Sequence, residues 1–392
     1  VAEKELTPEQ NIRANDRYSL YVISSFANKF FQQQLWEREE GKIVGLSYYK
    51  ERGFTEETIK KFQLGYSPKQ KDALSKEAIK SSFQQKYLED SGLSIIKNKS
   101  ALDRFRERMM FPIHSFSGRV LGFGGRTLQK DNKAKYVNSP ESLIYLKSKI
   151  LYGIYFAKQH ISKQNNCFIV EGYTDVISLH QAGVENVVSS SGTSLTSEQI
   201  KLINRFTKNI TILFDGDAAG LKASFRSIDM ILAEGMNVKV VLFPDGEDPD
   251  SFAQKCSQEE LINYLEENQK DFITFKTNIL SKDTNEDPAK RVEMIKDIAS
   301  SIAQIPDDIG RSEYIKECSR MLRVKELDLA KEVSAQKNKR ISPFPEKNEN
   351  ASNFEEKEVP TSKMNKEEKE IIRLLLNYGN KNMKEEDQKI SI

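Results

Sequence analysis

The chain has 392 residues, 38% hydrophobic and 30% charged, and its 60 Lys or Arg nearly cancel its 58 Asp or Glu to leave a formal net charge of +2. That length supports two or three domains, each able to bury its own core, and the near balance of charge favours neither an acidic nor a basic partner. Cys167, Cys256 and Cys318 stand far apart with no Cys-x-x-Cys pair and no histidine at ligand spacing, which excludes a disulfide scaffold and a zinc finger.

Residues 1–165 read as a mixed α/β unit that opens with a helix over about 17–40, whose Trp36 suits packing better than a site. Between residues 94 and 149 there are twelve Lys or Arg against four Asp or Glu. Arg106 and Arg108 alternate with apolar residues there, so one of them should face solvent. Arg126 follows Phe-Gly-Gly, and the two glycines would allow close backbone approach to a phosphate or a positive φ. From 166 to 258 short apolar runs at 167–170, 186–190, 209–214 and 237–243 predict strands. Helices are predicted between them over 174–181, 196–206 and 218–233, the second opened by a capping box of Thr196 and Gln199. This alternation predicts a parallel sheet flanked by helices, with ligands at the carboxyl ends of its strands. Residues 259–336 show helical periodicity, at Leu261 and Leu265 and again at Val292, Ile295, Ile298 and Ile302, and predict a helical bundle. A polar, proline-bearing stretch over 337–363 reads as a flexible linker, and apolar spacing returns in a short helix over 367–378.

Acidic residues fall where the strands of the central unit run out. Glu171 follows the first, Asp215 and Asp217 the third, and Asp248 and Asp250 the fourth. Like charges gathered at one sheet edge repel unless a cation neutralises them. Magnesium suits such a set, with manganese as the alternative, because hard ions prefer oxygen ligands and leave positions for water and phosphate. Two ions could clamp the attacking and leaving oxygens of a phosphoryl transfer. A lone Asp-Gly-Asp is ordinary turn chemistry, so the weight rests on the ordered series. Asp175 could support the ligands or simply charge a helix N-terminus. His114, His160 and His180 are scattered and receive no role.

Glu-Gly-Tyr-Thr-Asp at 171–175, Asp-Gly-Asp-Ala-Ala-Gly at 215–220 and Pro-Asp-Gly-Glu-Asp-Pro-Asp at 244–250 resemble the motifs of the TOPRIM domain shared by topoisomerases and bacterial primases. Leu-Asp-Arg-Phe-Arg-Glu-Arg-Met-Met-Phe-Pro-Ile-His at 102–114, Gly-Phe-Gly-Gly-Arg at 122–126, Lys-Tyr-Val-Asn-Ser-Pro at 135–140 and Tyr-Tyr-Lys-Glu-Arg-Gly-Phe at 48–54 closely resemble replicative primases of the DnaG type. The resemblance covers about residues 1–335. It implies an α/β and α+β multidomain enzyme, the polymerase core of a primase, that joins ribonucleoside triphosphates into an RNA primer on a single-stranded DNA template. It also implies a replicative helicase as partner, through a carboxy-terminal region that would begin at 364–392 and be mostly missing. The family's zinc-binding module is absent from this sequence.

The charge pattern agrees, since twelve acids against seven bases over residues 167–255 face the basic stretch before them. Carboxylates would hold ions, and cations would hold template and triphosphate. Arg104, Arg106, Arg126, Lys135 and Lys147 are the candidate cations, with Tyr136 and Asn138 to stack on or bond a base. The resemblance adds Arg52. Glu171 could ligate an ion or accept the hydroxyl proton. Two other readings use the same residues: a TOPRIM topoisomerase or nuclease, and a non-catalytic adaptor for single-stranded DNA. The chain shows no signal peptide or membrane-spanning run and opens without methionine, so a fragment of a larger cytoplasmic protein, monomeric and free of membranes, is expected.

Overall fold

The computed structural model describes residues 8–98, 100–129, 134–190, 195–215, 218–282, 287–341, 383–385 and 388–390. Helix α1 (Pro8–Glu37) starts well before the expected residue 17, because its first turns are exposed and its apolar stripe begins only near Leu20. Pro8 suits that start, since the first helical turn needs no backbone donor. A π-helical turn, Gly41–Leu46, leads into α2 (Ser47–Glu51), and α3 (Glu56–Lys61) is capped by Thr55, whose hydroxyl accepts the Thr58 N–H at 3.2 Å. Then come β1 (Gly65–Ser67), α4 (Ala73–Lys80), α5 (Gln85–Asp90) and the hairpin of β2 (Ser94–Lys97) and β3 (Ser100–Asp103). Strands β4 (Arg108–His114), β5 (Val120–Thr127) and β6 (Tyr136–Asn138) complete an antiparallel sheet in the order β1-β4-β5-β6.

Helix α6 (Ile154–Gln164) leads to the second sheet. It contains β7 (Cys167–Val170), β8 (Val187–Ser189), β9 (Asn209–Phe214) and β10 (Asn237–Leu242), with α7 (Tyr173–Gln181), α8 (Ser197–Asn204) and α9 (Ala218–Ala233) between them. The four strands are parallel as expected, and the capping box of α8 is present, with the Gln199 N–H donating to the Thr196 hydroxyl at 3.2 Å. After α10 (Pro249–Lys255) and α11 (Gln258–Glu267), a short antiparallel strand β11 (Lys270–Asp271) extends the edge, giving the order β11-β10-β9-β7-β8.

The bundle comprises α12 (Phe272–Lys282), α13 (Pro288–Ile302), α14 (Asp308–Leu322) and α15 (Glu326–Ile341). It begins later than residue 259, because Leu261 and Leu265 of α11 are buried in the cluster that also takes up Val170 and Phe243. Helix α15 runs past the expected linker start at 337, as far as Ile341. Most of the linker and the helix expected over 367–378 lie outside the described residues. In the second unit, which begins at Ser342, β12 (Met383–Glu385) and β13 (Gln388–Ile390) pair antiparallel.

The described residues up to Ile341 form one compact unit. One apolar cluster joins Tyr49, Phe111 and Ile113 of the first lobe to Phe168, Tyr173 and Val176 of the second. Another joins α9 and the central strands to the bundle through Phe225, Ile228, Phe272 and Ile298. Among the described residues no helix is long and apolar enough to cross a membrane.

His114 is buried against Tyr155 and Phe156, with its Nε2 3.3 Å from the Gln63 amide oxygen, and His180 is buried edge-on to Phe62. Burial pushes both imidazoles down to about 4, with Lys61 pushing His180 further in the same direction. As pH falls from about 6.5 the unfolded chain takes up these protons before the folded one does, so the stability they contribute is complete above about 6.5 and is lost toward 4. His114→Phe is expected to remove about 2 kcal/mol of the loss between pH 7 and pH 5, read by urea denaturation at the two values.

Candidate functional site

Strands β7 and β9 are neighbours, yet the chain leaves β7 toward β8 on one side and returns to β9 on the other. A reversal of this kind opens a crevice at the carboxyl ends of the two strands. Glu171 directly follows β7 and is exposed; Asp215 directly follows β9 and is half-buried. The Ser189 hydroxyl donates to the Glu171 carbonyl at 2.7 Å and fixes the backbone at that point. Asp217 lies outside the described residues.

Asp175 belongs to the first turn of α7 and accepts the Gly172 N–H at 2.8 Å. Burial pushes its carboxyl up to about 7; the Gly172 N–H opposes that, and the charges of Asp250, Asp248 and Asp215 add to it. Acids from two separate segments, the end of β9 and the start of α10, therefore lie within electrostatic reach of one carboxyl group on α7.

Asp248 caps α10, accepting the Ser251 N–H at 2.6 Å, with Pro249 at the first helical position. Asp250, two residues on, is 5% exposed. It accepts hydrogen bonds from the Arg52 guanidinium, from the Ser178 hydroxyl and, at 2.6 Å, from the Gln254 amide. These bonds engage Asp250 in holding Arg52, whereas Asp248 and Glu171 point outward.

The Arg52 and Arg126 guanidiniums both lie over the Tyr48 ring, at 5.5 and 4.8 Å, and Arg126 is 5.9 Å from the Tyr136 ring. Each such contact contributes about 0.5–2 kcal/mol toward fixing a cation. Tyr48 opens the Tyr-Tyr-Lys-Glu-Arg-Gly-Phe stretch at 48–54, but nothing in that stretch marks it as a ring beneath two cations. It is buried, which pushes its phenol up to about 12, and its hydroxyl has no partner among the described residues. Tyr136 is exposed on β6, and the neighbouring Asn138 accepts the Tyr173 hydroxyl at 2.7 Å.

The Phe-Gly-Gly-Arg stretch corrects an expectation. Neither glycine has a positive φ or forms an open phosphate cradle. A Cβ at Gly124 would lie 2.4 Å from the Tyr173 ring, and one at Gly125 2.7 Å from Phe105. The bare backbone admits rings from the protein itself and lets Tyr173 of α7 reach across to β5 and β6. Gly124→Ala is expected to cost about 1–3 kcal/mol by overpacking and to lower the melting temperature of the unit.

The remaining predicted cations separate by burial. Arg106 is exposed, while Arg108 is 7% exposed and donates to the carbonyls of Gly125 at 3.1 Å, Ala134 at 3.3 Å and Lys135 at 3.1 Å. Solvent thus falls to Arg106, and Arg108 ties down the segment that presents Lys135 and Tyr136. The Arg104 side chain donates to the Gly92 carbonyl at 2.7 Å. Lys135 is exposed, and Lys147 is half-buried in a single 3-10 turn, Lys147–Lys149. Among the described residues no three His, Cys, Asp or Glu side chains form a ready cage for an ion. The donors at the crevice are all carboxylate oxygens, a set that suits a hard divalent cation whose other ligands come from phosphate and water.

Three family models match the chain: the N-terminal domain of the DNA primase catalytic core over residues 30–158, a Toprim-like domain over 168–253, and the DnaB-helicase binding domain of primase over 273–326. The third falls within the helices after β11 and corrects the expectation that a helicase-binding region is largely missing. A DNA primase of Halalkalibacterium halodurans is 41% identical over 305 residues, 77% of this chain and 51% of that protein. Among solved structures, a DNA primase domain from Pseudomonas aeruginosa matches with a TM-score of 0.74 at 31% identity, over 80% of this chain and 99% of that one. A DnaG primase catalytic domain bound to single-stranded DNA matches with a TM-score of 0.70 at 33% identity, over 78% and 99%. The chain spans about half the length of the curated relatives it matches.

Proposed function

The chain belongs to the DnaG-type family of bacterial DNA primases, and from that premise we propose that it synthesises short RNA primers on single-stranded DNA in the cytoplasm. One observation carries the reading most directly. Asp215 after β9 and Asp248 and Asp250 at the start of α10 lie within electrostatic reach of Asp175, and this acidic group adjoins a guanidinium and aromatic cluster of Arg52, Arg126, Tyr48 and Tyr136 through the Arg52–Asp250 pair.

The reaction is attack of a 3′-hydroxyl on the α-phosphate of the next ribonucleoside triphosphate, with pyrophosphate leaving. Magnesium or manganese, when bound, would supply charge neutralisation and polarisation of phosphate oxygens, through Glu171, Asp215, Asp217 and Asp248. Asp250 keeps Arg52 in place for the triphosphate, and Asp175 supports the loop of Glu171 through Gly172. Arg52 and Arg126 offset phosphate charge in a partly dried cleft, where such contacts are stronger than in water. Arg104, Arg106, Lys135 and Lys147 serve the template backbone, and Tyr136 and Asn138 serve a base. The match over 273–326 supports a replicative helicase as partner of the bundle.

The test is to incubate the chain with single-stranded DNA, labelled ribonucleotides and Mg²⁺ or Mn²⁺ and to separate the products on a denaturing gel. New short RNA is expected. Cut or relaxed DNA would instead indicate a TOPRIM nuclease or topoisomerase, and salt-sensitive DNA binding with no product would indicate an adaptor.

A further inference from the structure

At the far end of the antiparallel sheet, away from Arg126, an open groove of 820 Å³ lies between α1 and the turn joining β4 to β5. Strand β5 runs from Val120 beside the groove to Arg126 beside the crevice, so the two places are about 20 Å apart along the strand. Tyr18, 69% exposed, and Val22, 38% exposed, line the α1 side with Tyr21 and Phe26. Arg119 from the turn lies 5.1 Å over the Tyr21 ring, and Phe26 and Phe83 stand 4.8 Å apart. Lys29 and Lys60 complete the rim.

The lining contains three cations and no Asp or Glu. Lys60 is 3.9 Å from the exposed Glu56, but neither Lys29 nor Arg119 has a carboxylate partner among the described residues. An apolar helix face alone would suit another protein as well. Unpaired cations beside an outward-facing tyrosine instead complement a polyanion whose units carry flat faces, and an open trough along a helix suits a chain better than a compact ligand. We propose that this groove binds single-stranded nucleic acid, with Lys29 and Arg119 on phosphates and Tyr18 under a base, and that it carries the template strand beyond the catalytic crevice. Only the identity of that strand as template rests on the primase reading; the binding does not.

The proposal is tested by fluorescence anisotropy with a DNA oligonucleotide of about 6 nucleotides, enough for the crevice, and one of about 16, long enough to reach the groove. The Lys29→Gln/Arg119→Gln chain is expected to bind the longer oligonucleotide about tenfold more weakly, with the slope of log affinity against log salt reduced by about 1.4, the value for two lost phosphate contacts on a single strand. Tyr18→Ala is expected to weaken the longer oligonucleotide about fivefold or more with the slope unchanged, and Tyr18→Phe to bind normally, because stacking needs only the ring. Binding of the shorter oligonucleotide, and primer synthesis on a template of that length, should not change. Unchanged affinity and slope for the longer DNA in the double variant would overturn the proposal, as would equal weakening on both lengths. If the unaltered chain made no RNA but still lost the longer DNA on these substitutions, the primase reading would fail and the groove would stand.

Discussion

Primer synthesis by the Asp215→Asn chain is expected to fall about 10³-fold, with no loss of folded stability. Asparagine has nearly the shape of aspartate, so the end of β9 keeps its packing while the site loses one negative charge. Asp215 is one of the carboxylates that push Asp175 toward protonation, so repulsion at the crevice also falls. In the absence of divalent ions the variant should therefore melt at the same temperature as the parent or slightly higher, since relieved like-charge crowding stabilises the fold. A simple structural role predicts the reverse, a lower melting temperature with proportionate activity. The measurements are RNA product on a denaturing gel, manganese affinity by electron paramagnetic resonance, and thermal unfolding in chelator. Synthesis retained within tenfold in a well-folded variant would remove Asp215 from the metal site.

Asp250→Ala is expected to destabilise the unit by about 2–4 kcal/mol. The substitution takes the acceptor away from three donors at once, the Arg52 guanidinium, the Ser178 hydroxyl and the Gln254 amide. Breaking a fully buried ion pair costs about 3–5 kcal/mol; here the Arg52 side chain is 28% exposed and water recovers part of that loss. A chemical denaturation series checks the value, and adding Arg52→Met should restore part of it, because the orphaned cation is then gone. In primer synthesis the single variant should raise KM for the ribonucleotide, Arg52 no longer being held. Unchanged stability together with lost manganese binding would instead assign Asp250 to the ion.

Much of the architecture is legible in the residues alone. The runs Cys-Phe-Ile-Val and Ile-Thr-Ile-Leu-Phe are short, apolar and bounded by polar residues, and they form the adjacent strands β7 and β9. The capping box of α8 involves residues three apart, so it needs nothing from the rest of the chain. Placing Glu171 and Asp215 at strand ends follows from the same local pattern. The early start of α1 was hidden because periodicity reports only turns that bury a face, and its first turns bury none.

What each side chain touches was decided elsewhere. Asp248 and Asp250 are alike in sequence, but one caps a helix in solvent and the other is buried against Arg52, 198 residues away in the chain. Gly124 and Gly125 look suited to a phosphate, yet they make room for Tyr173 and Phe105. Tyr48 acquires its two guanidiniums only when α2 and β5 pack together. The sequence by itself determined which segments become strands and helices and that acids end the strands, because period and capping depend on neighbours a few residues apart. Only the tertiary structure decided which acids stay open and which cations stand beside them, because burial and pairing are set by packing between segments distant in the chain.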